Sequence, residues 1–222
     1  MLKSHVLLDD KTKKITPLNR NYFYICTVFI VLLNIIVYAV HQSNTGNFYV
    51  KPDWGNFSIS NLFQALVNTY THANWQHTLL NMLCFFIAGL YLERKQGSLR
   101  FLIFIFIMSL FTAFASCTND VSLWWHGFSG VNYGLYGYII IEFIFTVFQK
   151  NKRDKFNIIF GVVILALISL AMCFNGGTQR VSFAIYPYDL LHNLGHASGF
   201  AVGIAFGIYE QICEIIHTAK QK

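Results

Sequence analysis

Six runs of apolar residues, separated by shorter polar segments, dominate the pattern of this chain. Each run is close to the roughly 20 residues that a helix needs to cross the hydrocarbon core of a bilayer. The runs predict spanning helices at Tyr22–Val40, Asn74–Tyr91, Leu99–Ser116, Ser129–Phe148, Phe156–Phe174 and Leu190–Ile208. The pattern therefore predicts an all-α membrane protein built as a bundle of six transmembrane helices.

The polar segment between the first two runs, residues 41–71, is the irregular part of the chain. Its first half is rich in turn-forming residues. Its second half carries apolar residues at helical spacing, namely Leu62, Phe63, Leu66, Val67 and Tyr70. This spacing predicts a short helix that lies in the outer membrane interface instead of crossing the bilayer.

The composition agrees with a membrane protein, because 55% of the 222 residues are hydrophobic, 12% are charged and the mean hydropathy is +0.47. Basic residues precede the first run, follow the last one, and lie between runs two and three and between runs four and five. Only Lys51 and Arg180 lie in the other connections. The positive-inside rule therefore places both termini in the cytoplasm. This topology accounts for the net charge of +6, so nucleic acid is not an expected partner.

The chain is predicted to be one six-span domain, residues 22–217, between a basic cytoplasmic tail, residues 1–21, and a short cytoplasmic end, residues 218–222. The first run is too long for a signal peptide, so we expect it to stay in the mature protein. The cysteines are scattered singly, which is typical of packing residues and predicts no metal site. Cys117 and Cys173 lie near external span ends and could approach each other.

Polar side chains near the outer ends of three runs are the candidates for function, since such groups are costly at membrane depth. In the second run, His77 and Asn81 are four residues apart and share a helix face, with His72 just before them. Ser129 opens the fourth run within the stretch GFSG. A purely structural interpretation is also open, with the amide and imidazoles as hydrogen-bond partners between helices and the serine as an N-cap.

The start of the sixth run combines a histidine, His196, with glycines at every fourth position: Gly195, Gly199 and Gly203. Small residues at this spacing let two helices approach closely. The fourth run carries a matching strip, Gly130 and Gly134. Contact between the two strips would bring Ser129 within hydrogen-bond reach of His196.

A serine beside a histidine is the arrangement of a nucleophile and its general base. The hydroxyl is a poor nucleophile at neutral pH, and the imidazole can take and return its proton. The pair is predicted to act as a dyad, because the acidic residues within the spans lie deep or on the cytoplasmic side: Glu93, Glu142, Glu210 and Glu214. The Ser129 backbone N–H and the side chains of His77 and Asn81 could stabilise the oxyanion.

Together and in this order, the three motifs resemble those of the rhomboid intramembrane serine proteases, and most closely the GlpG-like bacterial type with six spans. The matching residues are the HxxxxHxxxN run of His72, His77 and Asn81, the GxSG of Gly127 to Gly130 followed by Tyr133, and the HxxGxxxG from His196 through Gly199 to Gly203. The similarity covers residues 61 to about 207.

The resemblance implies that Ser129 is the nucleophile and His196 the base, with His77, Asn81 and the Ser129 N–H in the oxyanion hole. Substrates would be transmembrane segments of other proteins, cleaved near their external ends. The enzyme would lie in a bacterial inner membrane with its site open to the external side. No metal or cofactor is implied, and the oligomeric state is not indicated.

The resemblance further implies that His72 and Asn193 hold a network of hydrogen bonds and water, and that Tyr133 packs on the imidazole of the base. Two positions depart from the family pattern. Phe63-Gln64 stands where the external loop commonly carries Trp-Arg, and His126 replaces a glycine that usually precedes the GxSG. Both departures lie outside the dyad and bear on loop position and substrate preference.

Three alternatives use the same polar residues differently. A catalytically inactive protein of the same fold would bind transmembrane clients. A b-type haem protein would use a histidine pair such as His77 and His196. A transporter with a proton relay fits less well, because the polar groups cluster at one end and no series of carboxylates crosses the bundle.

Overall fold

The computed structural model of the protein describes residues 24–43, 58–72, 74–117, 127–148, 159, 161–163, 166 and 194–220. The described residues include six helices and no strand: α1 (Ile25–Ser43), α2 (Ile59–Thr69), α3 (Trp75–Gln96), α4 (Ser98–Cys117), α5 (Ser129–Phe148) and α6 (Leu194–Ala219). The basic tail, most of the predicted fifth span, and positions 126 and 193 lie outside the described residues.

Four of these helices are long and apolar enough to cross a membrane: Trp75–Gln96, Ser98–Ala115, Ser129–Phe148 and Leu194–Ala219. They correspond to the predicted second, third, fourth and sixth spans, which confirms an all-α membrane protein over the described part of the chain. The predicted first span coincides with the helix α1, whose apolar part, Ile25–Val40, is shorter than those four. The short helix predicted in the second half of residues 41–71 is present as α2.

Two helices extend further than the apolar runs that predict them. The second run ends at Tyr91, whereas α3 continues to Gln96, and the sixth run ends at Ile208, whereas α6 continues to Ala219. The extensions are polar or amphipathic, so hydropathy alone stops short of them. The length of an apolar run reflects the thickness of the bilayer. The helix itself continues until a residue ends it.

The junction of α3 and α4 shows how the sequence sets helix ends. Asn74 caps α3, because its side-chain oxygen accepts a hydrogen bond from the His77 backbone N–H over 2.8 Å. At the other end, Gly97 has a φ of +81°, a left-handed conformation that glycine adopts without steric cost. Its N–H donates to the Glu93 carbonyl oxygen over 2.8 Å, and α4 begins at the next residue.

The closest contact in the fold is between α5 and α6, where glycine faces glycine. A Cβ added at Gly199 would lie 2.8 Å from the Gly130 carbonyl carbon, and one added at Gly134 would lie 2.9 Å from the Gly199 carbonyl oxygen. Side chains are thus excluded where the two backbones meet. The contact between glycine strips that the sequence predicts is therefore present, and it fixes the relative position of the first turns of α5 and α6.

A buried carboxylate joins α1, α3 and α4. Glu93 is 1% exposed and accepts hydrogen bonds from the backbone N–H groups of Cys26 and Thr27, at 3.0 and 2.8 Å. It also accepts from the hydroxyls of Thr27 and Ser98, both at 2.6 Å. The charge is therefore surrounded by donors, as a buried carboxylate requires.

Further ionic and phenolic groups meet at the end of the bundle opposite Ser129. The Lys95 ammonium lies 2.6 Å from Glu142 Oε1, and the Tyr91 hydroxyl donates to the same oxygen over 2.6 Å. Nearby, the Tyr138 hydroxyl donates to a Glu210 carboxylate oxygen. These bonds connect α3, α5 and α6 where the glycine strips end.

Candidate active site

Ser129 is the first residue of α5, and the turn before it depends on a glycine. Gly127 has a φ of +125°, and a Cβ there would lie 2.9 Å from Cε1 of His77. Both the backbone conformation and the space therefore require glycine at this position. The turn places Ser129 where the N–H groups of the first helical turn have no partner within the helix.

The Ser129 hydroxyl lies 2.7 Å from Nε2 of His196, which is the third residue of α6. The two residues are 67 positions apart in the chain, and the glycine contact of α5 with α6 brings them together. The proximity predicted from the spacing of the glycines is therefore observed. A distance of 2.7 Å suits proton transfer between a hydroxyl and an imidazole.

The ring of Tyr133 stacks on the His196 imidazole. Their ring centroids are 4.4 Å apart and the planes are inclined by 21°. Tyr133 lies four residues after Ser129, so the two side chains share a face of α5. The imidazole is thus held between a hydroxyl at its edge and an aromatic ring on its face.

The end of α2 and the segment that follows it are hydrogen-bonded to the turn before Ser129. His72 is fully buried, and its Nε2 accepts a hydrogen bond from the Phe128 backbone N–H over 3.3 Å. The Gly127 N–H donates to the Asn68 carbonyl oxygen over 3.1 Å. The ring of His72 also meets that of His77 edge-on, with centroids 5.2 Å apart. His72 therefore contributes to the shape of the turn and to the position of the second histidine.

His77 and Asn81 lie on the face of α3 that is turned towards α5. The Asn81 side chain is fully buried, and its Nδ2 donates to the His77 carbonyl oxygen over 3.0 Å. Asn132, on α5, donates through its own Nδ2 to the Asn81 backbone oxygen over 3.0 Å and to Oδ1 over 2.9 Å.

Asn132 is a site residue that the sequence motifs do not include. Its one signal in the sequence is an amide three residues after Ser129, the single amide in the run Ser129–Phe148. That spacing places it on the Ser129 face of the helix.

The remaining sequence predictions concern Asn193, His126, the two cysteines and the pair Phe63-Gln64. Asn193, His126 and the side chains of Cys117 and Cys173 lie outside the described residues. On α2, Phe63 is 65% exposed and Gln64 is partly buried. Over the part of the chain that the structure describes, no group of three or more His, Cys, Asp or Glu side chains could hold a metal ion.

The sequence matches a family model described as the Rhomboid domain over residues 60–211. The chain belongs to the rhomboid family. The resemblance seen in the motifs is thus confirmed, and all the residues that build this rhomboid site fall within the matched segment. As a rhomboid with four described helices that could span a membrane, the protein is an integral membrane protein.

Curated relatives of this rhomboid include proteins named as proteases. The chain is 28% identical over 152 residues to the rhomboid protease GlpG of Haemophilus influenzae, covering 68% of this chain and 71% of that protein. It is 24% identical over 151 residues to rhomboid-like protease 1 of Toxoplasma gondii, covering 66% of this chain and 46% of the relative. It is also 25% identical over 181 residues to rhomboid-like protein 11, chloroplastic, of Arabidopsis thaliana, covering 79% of this chain and 62% of that relative.

Proposed function

We propose that this rhomboid is an intramembrane serine endopeptidase that cleaves transmembrane segments by a Ser129–His196 dyad. The single observation that carries the proposal is the distance of 2.7 Å between the Ser129 hydroxyl and His196 Nε2. The protease names of the relatives support the same reaction class.

In the proposed reaction, His196 Nε2 accepts the Ser129 proton as Oγ attacks the scissile carbonyl carbon. The tetrahedral intermediate collapses, and the same imidazole gives the proton to the departing amine, which leaves an acyl ester on Ser129. A water molecule then attacks the ester while His196 takes its proton, and the imidazole gives that proton to Ser129 Oγ as the ester bond breaks and the carboxylic acid product is released.

The oxyanion that forms in each half of the reaction requires donors. The Ser129 backbone N–H lies at the start of α5, where the unpaired amides and the helix dipole favour negative charge. We assign the remaining donors to the side chains of His77 and Asn81, which lie on the face of α3 that meets the turn before Ser129. Each such donor is worth about 100-fold or more in rate in other hydrolases.

The supporting residues act on the geometry of these groups. Tyr133 holds the plane of the imidazole by stacking, and His72 fixes the turn before Ser129 through the Phe128 N–H. Gly127, Gly130 and Gly199 provide the backbone conformation and the close helix contact. We retain Asn193, on the resemblance alone, as a part of the water network. The dyad needs neither a metal nor a cofactor for this chemistry.

The proposed substrates are transmembrane segments that enter from the bilayer and are cut near their external ends. We propose that both termini are cytoplasmic and that Ser129 faces the external side of a bacterial inner membrane. This orientation follows from the distribution of basic residues. It also gives the water that hydrolyses the ester a route to the site, since none exists through lipid.

The test is cleavage of a model transmembrane substrate in proteoliposomes by the wild type, Ser129→Ala and His196→Ala. We expect cleavage by the wild type, no cleavage above background by either variant, and similar unfolding midpoints for all three proteins. Substrate binding without cleavage by the wild type would instead favour the inactive, client-binding alternative. Cleavage by Ser129→Ala at the wild-type rate would refute the proposal.

A further inference from the structure

Asn132 and Asn81 form a pair of buried amides that spans the contact of α5 with α3. Asn132 is 3% exposed and Asn81 is fully buried. Because Asn132 follows Ser129 by three residues, it leaves α5 on the same face, one turn further along. The pair therefore joins Asn132 to Asn81, which the proposed function places in the oxyanion hole.

The hydrogen bonds of this pair are compatible with only one orientation of the Asn81 side-chain amide. The Asn81 backbone oxygen can only accept, so the Asn132 group 3.0 Å from it must be an N–H donor. The same nitrogen lies 2.9 Å from the end of the Asn81 side chain, which must therefore present its carbonyl oxygen. Asn81 Nδ2 then faces the preceding turn of α3 and donates to the His77 carbonyl oxygen over 3.0 Å.

A rotation of the Asn81 amide by half a turn would be costly at both ends. It would place N–H against N–H at Asn132 and carbonyl against carbonyl at His77, among buried and partly buried groups. Without Asn132, the hydrogen bond to Asn81 Oδ1 that opposes that rotation would be lost. Asn132 thus restrains which end of the amide faces the turn before Ser129.

We propose that Asn132 is a positioning residue of the oxyanion hole, which keeps the amide nitrogen of Asn81, and not its oxygen, turned towards the developing negative charge. The inference rests on the proposed function. An amide in the opposite orientation would present an acceptor oxygen to the oxyanion, so its contribution would change from attraction to repulsion. The pair also fixes how α3 and α5 are aligned along their axes. His77 lies against the turn at Gly127, and Asn81, one helical turn after His77, bonds to Asn132.

The experiment is a double-mutant cycle on kcat and KM, with cleavage of one model transmembrane substrate as the readout. Asn132→Leu keeps nearly the same shape and removes both hydrogen bonds, and we expect kcat to fall about 10-fold at unchanged KM. In an Asn81→Ala background there is no amide left to orient, so the same substitution should change kcat by less than about 2-fold. If Asn132→Leu does not fold, Asn132→Val takes its place in the cycle.

Asn34 provides a matched control on α1. It is fully buried, and its Nδ2 donates to the Ile30 carbonyl oxygen of the same helix over 2.9 Å. Asn34→Leu is therefore the same chemical change at a buried helix position, without a hydrogen bond to Asn81, and we expect wild-type kcat.

The outcomes separate the inference from the function on which it rests. An unchanged kcat in Asn132→Leu, or an equal loss with and without the Asn81 side chain, would overturn the positioning role while wild-type cleavage still stands. Failure of the wild type itself to cleave would overturn the proposed function, and the inference with it.

Discussion

One added methyl group at Gly199 is expected to separate the two residues of the dyad. A Cβ at this position would lie 2.8 Å from the Gly130 carbonyl carbon and closer still to its oxygen, whereas ordinary contacts begin at 3.4 Å. The obstacle is backbone, which cannot rotate away as a side chain would. The α5 and α6 helices must therefore move apart by about 1 Å at the level of Ser129 and His196.

A shift of about 1 Å between the two helices is large compared with the misplacement that proton transfer tolerates. The dyad bond is 2.7 Å long, and a misplacement of about 1 Å between reacting groups can cost about 100-fold in rate. We expect Gly199→Ala to reduce the cleavage rate by about 100-fold and to lower the free energy of unfolding by about 1 to 3 kcal/mol.

The assay is the initial rate of cleavage in proteoliposomes, measured well below the unfolding midpoint so that the variant is folded. Ala201→Val is the matched control, because it adds bulk to an exposed position on the same helix. We expect the control to retain the wild-type rate. Cleavage by Gly199→Ala within about 3-fold of the wild type would refute the argument that backbone contact sets the dyad distance.

Further predictions concern groups whose partners the structure defines. Glu93→Gln should lower the free energy of unfolding by about 2 to 3 kcal/mol in denaturant titration, because an NH2 group would face donors that now bond to an oxygen; an unchanged midpoint would contradict this. Lys95→Met should lower the free energy of unfolding by about 1 to 3 kcal/mol, because it leaves the Glu142 charge without its partner. Adding Glu142→Gln should restore part of that loss, since the buried charge is then also removed. A double variant that is as unstable as Lys95→Met, or less stable, would argue against the pair. Tyr133→Phe should keep most of the cleavage rate and Tyr133→Ala should lose about 10-fold, because stacking needs the ring and not the hydroxyl; similar rates for both variants would count against the stacking role.

The sequence predicts the described spans and the dyad because both depend on simple periodic features. Apolar runs of membrane length locate α3 to α6, and glycines at every fourth position on α5 and α6 are enough to bring Ser129 to His196. Helix ends are less predictable, since polar extensions such as the last turns of α6 carry no hydropathy signal.

The polar contacts between helices are the part that the sequence does not determine. Asn132 is one amide in an apolar run, and only the packing of α3 against α5 shows that it meets Asn81. Likewise, the deep glutamates have no assigned partners in the sequence. The structure supplies donors to Glu93 from α1 and α4, and to Glu142 from α3.

In the proposed reaction His196 makes the Ser129 oxygen nucleophilic, and a covalent probe of that oxygen is the sharpest test. The wild type, Ser129→Ala and His196→Ala are incubated in the membrane with a fluorophosphonate, and the modified peptide is identified by mass spectrometry. We expect a single adduct on Ser129 in the wild type and none at that site in either variant. An adduct on another residue, or equal labelling of His196→Ala, would contradict it.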